Sequence, residues 1–134
     1  MDDADRDEVV LAQTPIIVPT PGISQDHDIY TLYKDKIVSE LDMCYAIMQE
    51  HGLNPHSIGV TGTDGKSTVT WLISQSLAEL LPHYHVHATG NWDDALSKTI
   101  LDIILAKQEQ ENHLFVIECS SFMLYPTKKY HFDI

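Results

Sequence analysis

The residues best suited to chemistry gather in one run, Thr61-Gly62-Thr63-Asp64-Gly65-Lys66-Ser67-Thr68. Glycines let a backbone come close to phosphate oxygens, and successive N–H groups can line an anion-binding concavity. A helix beginning here would add a partial positive charge, and Lys66 a full one near the terminal phosphates. The hydroxyl that follows, on Ser67, is placed to ligate Mg²⁺. The competing reading is a structural turn in which Ser67 and Thr68 only cap a helix. The general nucleoside-triphosphate loop has a glycine five positions before Gly65, where this chain has Val60. Asp64 suits the turn itself, since Asp and Asn share conformational tolerance.

A second candidate is Glu118, the acid that ends the apolar run Leu114-Phe115-Val116-Ile117. A carboxylate at a strand end can share a hard cation with a hydroxyl and phosphate oxygens. Otherwise it is a solvated strand-end acid. Gly90-Asn91 reads as a turn, with Asn91 either a ligand-facing residue or an ordinary turn asparagine before a helix capped by Asp93 or Asp94. His83, His85 and His87 alternate as in a half-exposed strand, which is not a metal-ligand spacing.

The elements that must position these groups follow from periodicity. Pro15 to Pro19 and Ile37-Val38-Ser39 read as short strands, with the Thr20-Pro21-Gly22 turn between them. Leu41, Cys44, Tyr45, Ile47 and Met48 recur at helical spacing over 40–50, ahead of Gly52 and Pro55. Strands are expected at 58–61, 85–89 and 114–118, and a fourth is expected to begin at 131–134. Between them, Val69, Leu72, Ile73, Leu77 and Leu80 mark the buried face of a helix that Pro82 ends. Leu96, Ile100, Ile103 and Ile104 mark the buried face of another, with Lys107 exposed. Strands alternating with helices predict an α/β fold, a parallel sheet flanked by helices, and ligands in such sheets bind at the strands' carboxyl ends. The loop at 62–67, Asn91 and Glu118 to Ser121 all follow strand ends, so they should line one edge of the sheet.

Composition sets outer bounds. With 134 residues, the chain suffices for about one domain. Its 20 acidic against 8 basic side chains give a net charge of -12. That balance argues against non-specific nucleic-acid binding, which relies on clustered Lys and Arg. No apolar run reaches the roughly 20 residues of a membrane-spanning helix, so no membrane insertion is expected. Two distant cysteines, Cys44 and Cys119, define no disulfide framework and suit a soluble, cytoplasmic protein.

Four segments together resemble the Mur ligase family. Gly62-x-x-Gly65-Lys66-Ser67-Thr68 is similar to its loop, usually Thr-Gly-Thr-Asn-Gly-Lys-Ser/Thr-Thr, with Asp64 in place of Asn. Glu118-Cys119-Ser120-Ser121-Phe122-Met123-Leu124 resembles the Glu-Leu-Ser-Ser-Phe-Gln-Leu stretch of the D-glutamate-adding branch, with Cys119 and Met123 replacing Leu and Gln. Gly90-Asn91 matches a turn that contacts the muramyl substrate in the family, although Trp92-Asp93 replaces the usual Ile-Gly. Pro21-Gly22-Ile23 is similar to a Ser-Pro-Gly-Ile stretch late in the family's uridine-nucleotide-binding domain, where Gly22 is either a diphosphate contact or a plain turn.

The resemblance implies an ATP-dependent, ADP-forming ligase that joins D-glutamate to UDP-N-acetylmuramoyl-L-alanine through an acyl phosphate. ATP would lie on Gly62, Thr63, Asp64, Gly65, Lys66, Ser67 and Thr68. Ser67 and Glu118 would hold Mg²⁺, Lys66 and Glu118 would be catalytic, and Asn91 and Gly22 would meet substrate. It also implies a division into an acidic segment (1–14), the end of a Rossmann-like nucleotide domain with its linker (15–56), and the first part of a P-loop-containing central domain (57–134). Complete enzymes of the family have three domains and are expected to act as monomers. On this reading the chain is a partial one, not able to complete ligation alone.

Overall fold

The computed structural model describes residues 10–20, 22–24, 26–91 and 94–134. Most of the acidic opening segment, together with Pro21, Trp92 and Asp93, lies outside them. The elements are α1 (Ile29–Leu32), α2 (Glu40–His51), β1 (His56–Val60), α3 (Lys66–Leu80), β2 (His85–Gly90), α4 (Leu96–Ala106), β3 (His113–Glu118) and α5 (Ser121–Leu124). The three strands form one parallel sheet in the order β1-β3-β2, so β3 is central. Every residue of β3 is buried, as expected of a parallel strand with helices on both faces.

Alternation along β3 divides the core. Phe115 and Ile117 face α2 and α4 in a cluster with Leu41, Cys44, Met48, Leu96, Ile100 and Ile103. Leu114 and Val116 face the other way, against Val60, Ile73 and Leu77. Burying each such side chain stabilises the fold by about 1.5–3 kcal/mol. Cys44 and Cys119 are free and buried. Burial, aided by the charge of Glu40, pushes the Cys44 thiol up to about 12. Burial and Glu118 push Cys119 up to about 11. Both therefore act as small core residues without thiolate reactivity.

Several sequence expectations fail for identifiable reasons. The strands expected at 15–19 and 37–39 reduce to one parallel bridge, Ile17 to Ile37. Ser39 instead caps α2, its Oγ accepting the Asp42 N–H at 2.9 Å. That local bond competes with extended structure. Asp94 does not cap α4, whose N-cap is Ala95. On α3, Val69, Leu72 and Leu80 are exposed, whereas Thr70 and Ser74 are buried against the sheet. Of the apolar residues expected on the buried face only Ile73 and Leu77 pack against the core, so the face is turned toward Thr70 and Ser74. No strand forms at 131–134. Even so, Ile134 N–H donates to Ser57 O at 3.3 Å and Gly59 N–H to Ile134 O at 2.9 Å, so the segment lies along the free edge of β1.

At the amino-terminal end of the sheet the histidines pair among themselves. His113, 2% exposed, has Nε2 2.8 Å from Gln108 O, so Nε2 carries the proton and Nδ1 accepts. His87 Nε2, 3.0 Å from that Nδ1, must then be the donor. Burial, then the neighbouring His113 and His85, depress His87 from 6.5 to about 4. The unfolded chain therefore takes up a proton below about pH 6.5 that the folded chain refuses until about pH 4. Stability is complete above that window and lost through it, by roughly 2 kcal/mol once solvent screening of this part-exposed ring is allowed for. His85 with Glu111 at 2.6 Å, and Asp94 and Asp102 lining the same hollow, are ionisable neighbours at this end. Unfolding midpoints at pH 7 and pH 4.5 are expected to differ clearly for the wild type and distinctly less for His87→Gln, which keeps a donor but cannot titrate.

Candidate functional site

Strand register places the chemistry-bearing residues. Val60, Glu118 and Gly90 are aligned across β1, β3 and β2, so all three strands end at one level. Cys119 N–H donates to Val60 O at 2.8 Å, and Asn91 N–H to Glu118 O at 2.9 Å. These bonds hold the start of the 61–65 loop, the exit of β3 and the turn after β2 side by side. The expected edge is therefore present.

The loop runs from β1 straight into α3. Gly65 is the N-cap with φ +76°, a left-handed conformation costly for residues with a Cβ. It has no side chain to cap the helix, and Val69 N–H is the first to reach a backbone acceptor, Gly65 O at 2.9 Å. The N–H groups of 66–68 remain available to an anion, at the positive end of a 15-residue helix. Lys66 Nζ curls back over the loop, 2.9 Å from Gly62 O and 3.3 Å from Thr63 O. Its charge is thus held over the concavity by weak carbonyl partners that phosphate oxygens can replace. Gly62, Thr63 and Asp64 are exposed, as is Thr68, and Ser67 is half-buried.

Glu118 is 3% exposed, and its Oε2 is buried with no hydrogen-bond partner. An ionised oxygen left so is expensive unless something pairs with it, and a divalent cation would do so. The donor set fits a hard cation: carboxylate, hydroxyl and, when bound, phosphate oxygens. Among the described residues no group of three or more His, Cys, Asp or Glu side chains is arranged to hold a metal by itself. A cation here would thus depend on the nucleotide for part of its shell. Asn91 is exposed beside this edge. Gly22 is not joined to it by any hydrogen bond among the described residues. It sits in a turn closed by Ile23 N–H to Thr20 O at 3.1 Å, with open space where a Cβ would stand.

Reasoning from sequence overlooked what the two acids in the first turn of α2 do. Asp42, 8% exposed, accepts the N–H groups of Lys128, Lys129 and Tyr130 at 2.9, 2.8 and 2.9 Å. Glu40 Oε1 accepts from Ser97 N–H at 3.2 Å and Ser97 Oγ–H at 2.8 Å. Two carboxylates in one helical turn thus hold the chain beyond α5 and the start of α4. Ser39-x-x-Asp42 was a visible helix-start signal, but the partners lie 86 to 88 residues away.

A parallel sheet with a glycine–lysine loop at its carboxyl ends, leading into a helix, defines an α/β domain of the phosphate-loop kind. The description "Mur ligase middle domain" matches residues 60–132, and the chain belongs to the Mur ligase family. It is 32% identical over 119 residues to the UDP-N-acetylmuramoylalanine–D-glutamate ligase of Natranaerobius thermophilus, covering 85% of this chain and 24% of that enzyme. The enzyme of the same name from Leptospira interrogans is 31% identical over 127 residues, covering 92% and 24%. That of Fusobacterium nucleatum is 34% identical over 111 residues, covering 80% and 23%. The chain thus spans about a quarter of the length of these relatives. No solved structure gave a significant match. Among the described residues no helix is long and apolar enough to cross a membrane.

Proposed function

We propose that this chain supplies the ATP grip of a cytoplasmic, ADP-forming ligase that adds D-glutamate to UDP-N-acetylmuramoyl-L-alanine in peptidoglycan synthesis. The observation that supports it best is the alignment of Val60, Glu118 and Gly90. It gathers an anion-ready helix start, a lysine and an unpaired buried carboxylate at one edge. The names of the relatives point to the same substrates. In this reading residues 57–134 belong to the ATP domain and 15–56 to the end of the uridine-nucleotide domain and its linker.

The roles follow from charge and position. The N–H groups of 66–68 and the Lys66 ammonium hold the β- and γ-phosphates and offset charge as the substrate carboxylate becomes an acyl phosphate. Ser67 and Glu118 hold Mg²⁺, which neutralises phosphate charge when bound. Asn91, exposed beside Glu118, is suited to meeting the muramyl substrate, whose carboxylate must approach the same edge. The amine of D-glutamate then attacks the activated carbonyl and phosphate leaves.

Calorimetric titration of the chain with ATP and Mg²⁺ tests the nucleotide part, with GTP and ADP as comparisons. Saturable binding that Mg²⁺ strengthens is expected, and its absence from a folded chain defeats the proposal. Product analysis on a three-domain enzyme that carries this segment, with UDP-N-acetylmuramoyl-L-alanine and a panel of amino acids, tests the branch. A ligated product with another amino acid in preference to D-glutamate would assign a different Mur-type activity.

A further inference from the structure

Glu118 has no hydrogen bond of its own at Oε2, so its placement is inherited from the backbone that carries it. That backbone is gripped from both sides. On the β1 side the next residue, Cys119, donates its N–H to Val60 O at 2.8 Å, and on the β2 side Asn91 donates its N–H to Glu118 O at 2.9 Å. Between the last two strands lies Gly90, paired in register with Glu118 and held at φ +111°. A Cβ at Gly90 would stand 2.3 Å from Glu118 O and 2.9 Å from Glu118 N. Those are backbone atoms of the central strand, which cannot swing aside as a flexible side chain could. The end of β2 is held from its other side as well. Asp94 O accepts from Gly90 N–H at 2.9 Å and from Thr89 Oγ–H at 2.8 Å, and Thr99 Oγ–H donates to Thr89 Oγ at 3.1 Å.

We infer that Gly90 is a positioning residue for the metal-facing carboxylate: the missing side chain lets β2 close onto the Glu118 peptide, which sets where that carboxylate meets a divalent cation. This rests on the reading of Glu118 as a ligand to the cation that accompanies ATP. A glycine kept only for turn geometry would have open space at its Cβ, as Gly65 does. Gly90 combines a positive φ with direct backbone contact to the one residue, among the described residues, whose carboxylate oxygen is buried and unpaired. Replacing it with alanine forces β2 and β3 apart at their carboxyl ends and displaces Glu118, while the 61–65 loop keeps its own attachment to β1. Only the interaction that needs the carboxylate is then affected.

The test compares ATP affinity with and without Mg²⁺ for the 134-residue wild type, Glu118→Gln and Gly90→Ala, with circular dichroism to establish folding. In the wild type Mg²⁺ is expected to tighten ATP binding. Glu118→Gln is expected to lose most of that gain, and Gly90→Ala at least fivefold of it, while metal-free ATP affinity changes less than twofold. A Gly90→Ala chain with its Mg²⁺ gain intact, or one that loses metal-free and Mg²⁺-dependent binding in parallel, overturns the inference. If Glu118→Gln keeps the full gain, the reading of Glu118 itself has failed. Should Gly90→Ala not fold, the wild type decides: the Asn91 amide resonance is expected to shift when Mg²⁺ is added to the ATP complex, but not in Glu118→Gln. An Asn91 amide that stays put in the wild type overturns the inference equally.

Discussion

Lys66→Met is expected to weaken ATP binding about 10- to 100-fold, or ~1.5–3 kcal/mol, with the thermal unfolding midpoint unchanged. The ammonium lies over the loop, bonded to the carbonyl oxygens of Gly62 and Thr63. When phosphate oxygens arrive, it exchanges those neutral partners for charged ones, and charge-assisted bonds are roughly twice as strong. Methionine keeps the apolar stem and good helix propensity, so the start of α3 is preserved while the charge is lost. Calorimetric titration with ATP–Mg²⁺ reads the affinity, and repeating it at higher ionic strength adds a second check. The wild type should lose affinity with salt more steeply than the variant, because one fewer phosphate–cation contact remains to be screened. Equal affinities at low salt would remove Lys66 from the phosphate grip.

Asp42→Ala is expected to be the most damaging substitution for stability, about 3 kcal/mol or more, with a fall of roughly 10 °C in unfolding midpoint. The loss is concentrated because one carboxylate accepts three consecutive backbone N–H groups from 128–130. Without it those donors lose a charged acceptor, and α2 loses its tie to the segment beyond α5. Asp42→Asn should fall in between, since its amide turns an NH₂ toward N–H donors that need an acceptor. The acid limb of the stability curve carries the same signature. Burial raises the Asp42 carboxyl, but the bonds from Lys129, Tyr130 and Lys128, with Ser39, outweigh it and leave it below the usual carboxylate value. A depressed value means that the contribution is complete above the unfolded value, near pH 4, and is lost as pH falls through the lower folded one. This window lies below the one set by His87, so the wild type should lose stability in two stages on acidification. Asp42→Ala should lack the lower stage while keeping the upper. Urea unfolding at pH 7, 5 and 3 separates the two.

Much of the site was legible in advance because its signals are local. Gly62, Gly65, Lys66 and Ser67 lie within six residues between a strand and a helix, and each has its own physical reason to be there. The apolar run ending at Glu118 foretold a strand with an acid at its tip. The helix over 40–50 also agreed closely, since Leu41, Cys44 and Met48 share one buried face. Failures came where the deciding partner is remote. On α3, the hydroxyl-bearing Thr70 and Ser74 occupy the buried face while Val69 and Leu72 do not. Apolar spacing cannot reveal which side of a helix the sheet will take when both sides carry apolar residues. Glu40 and Asp42 stand in the first turn of α2, where the helix dipole favours acids, yet their partners are chain 57 and 86–88 residues away.

The glycine–lysine loop around Lys66 is a property of the sequence itself. Its glycines and hydroxyls act through conformational freedom and bonds a few residues long, so their order nearly dictates the local shape. Where Glu118 stands relative to that loop, and that Gly90 must lack a side chain for it to stand there, was decided only by the tertiary structure. The order β1-β3-β2 inserts the last strand between the first two, and 2.3 Å between an imagined Cβ and a carbonyl oxygen arises only when strands 28 residues apart in register are laid side by side.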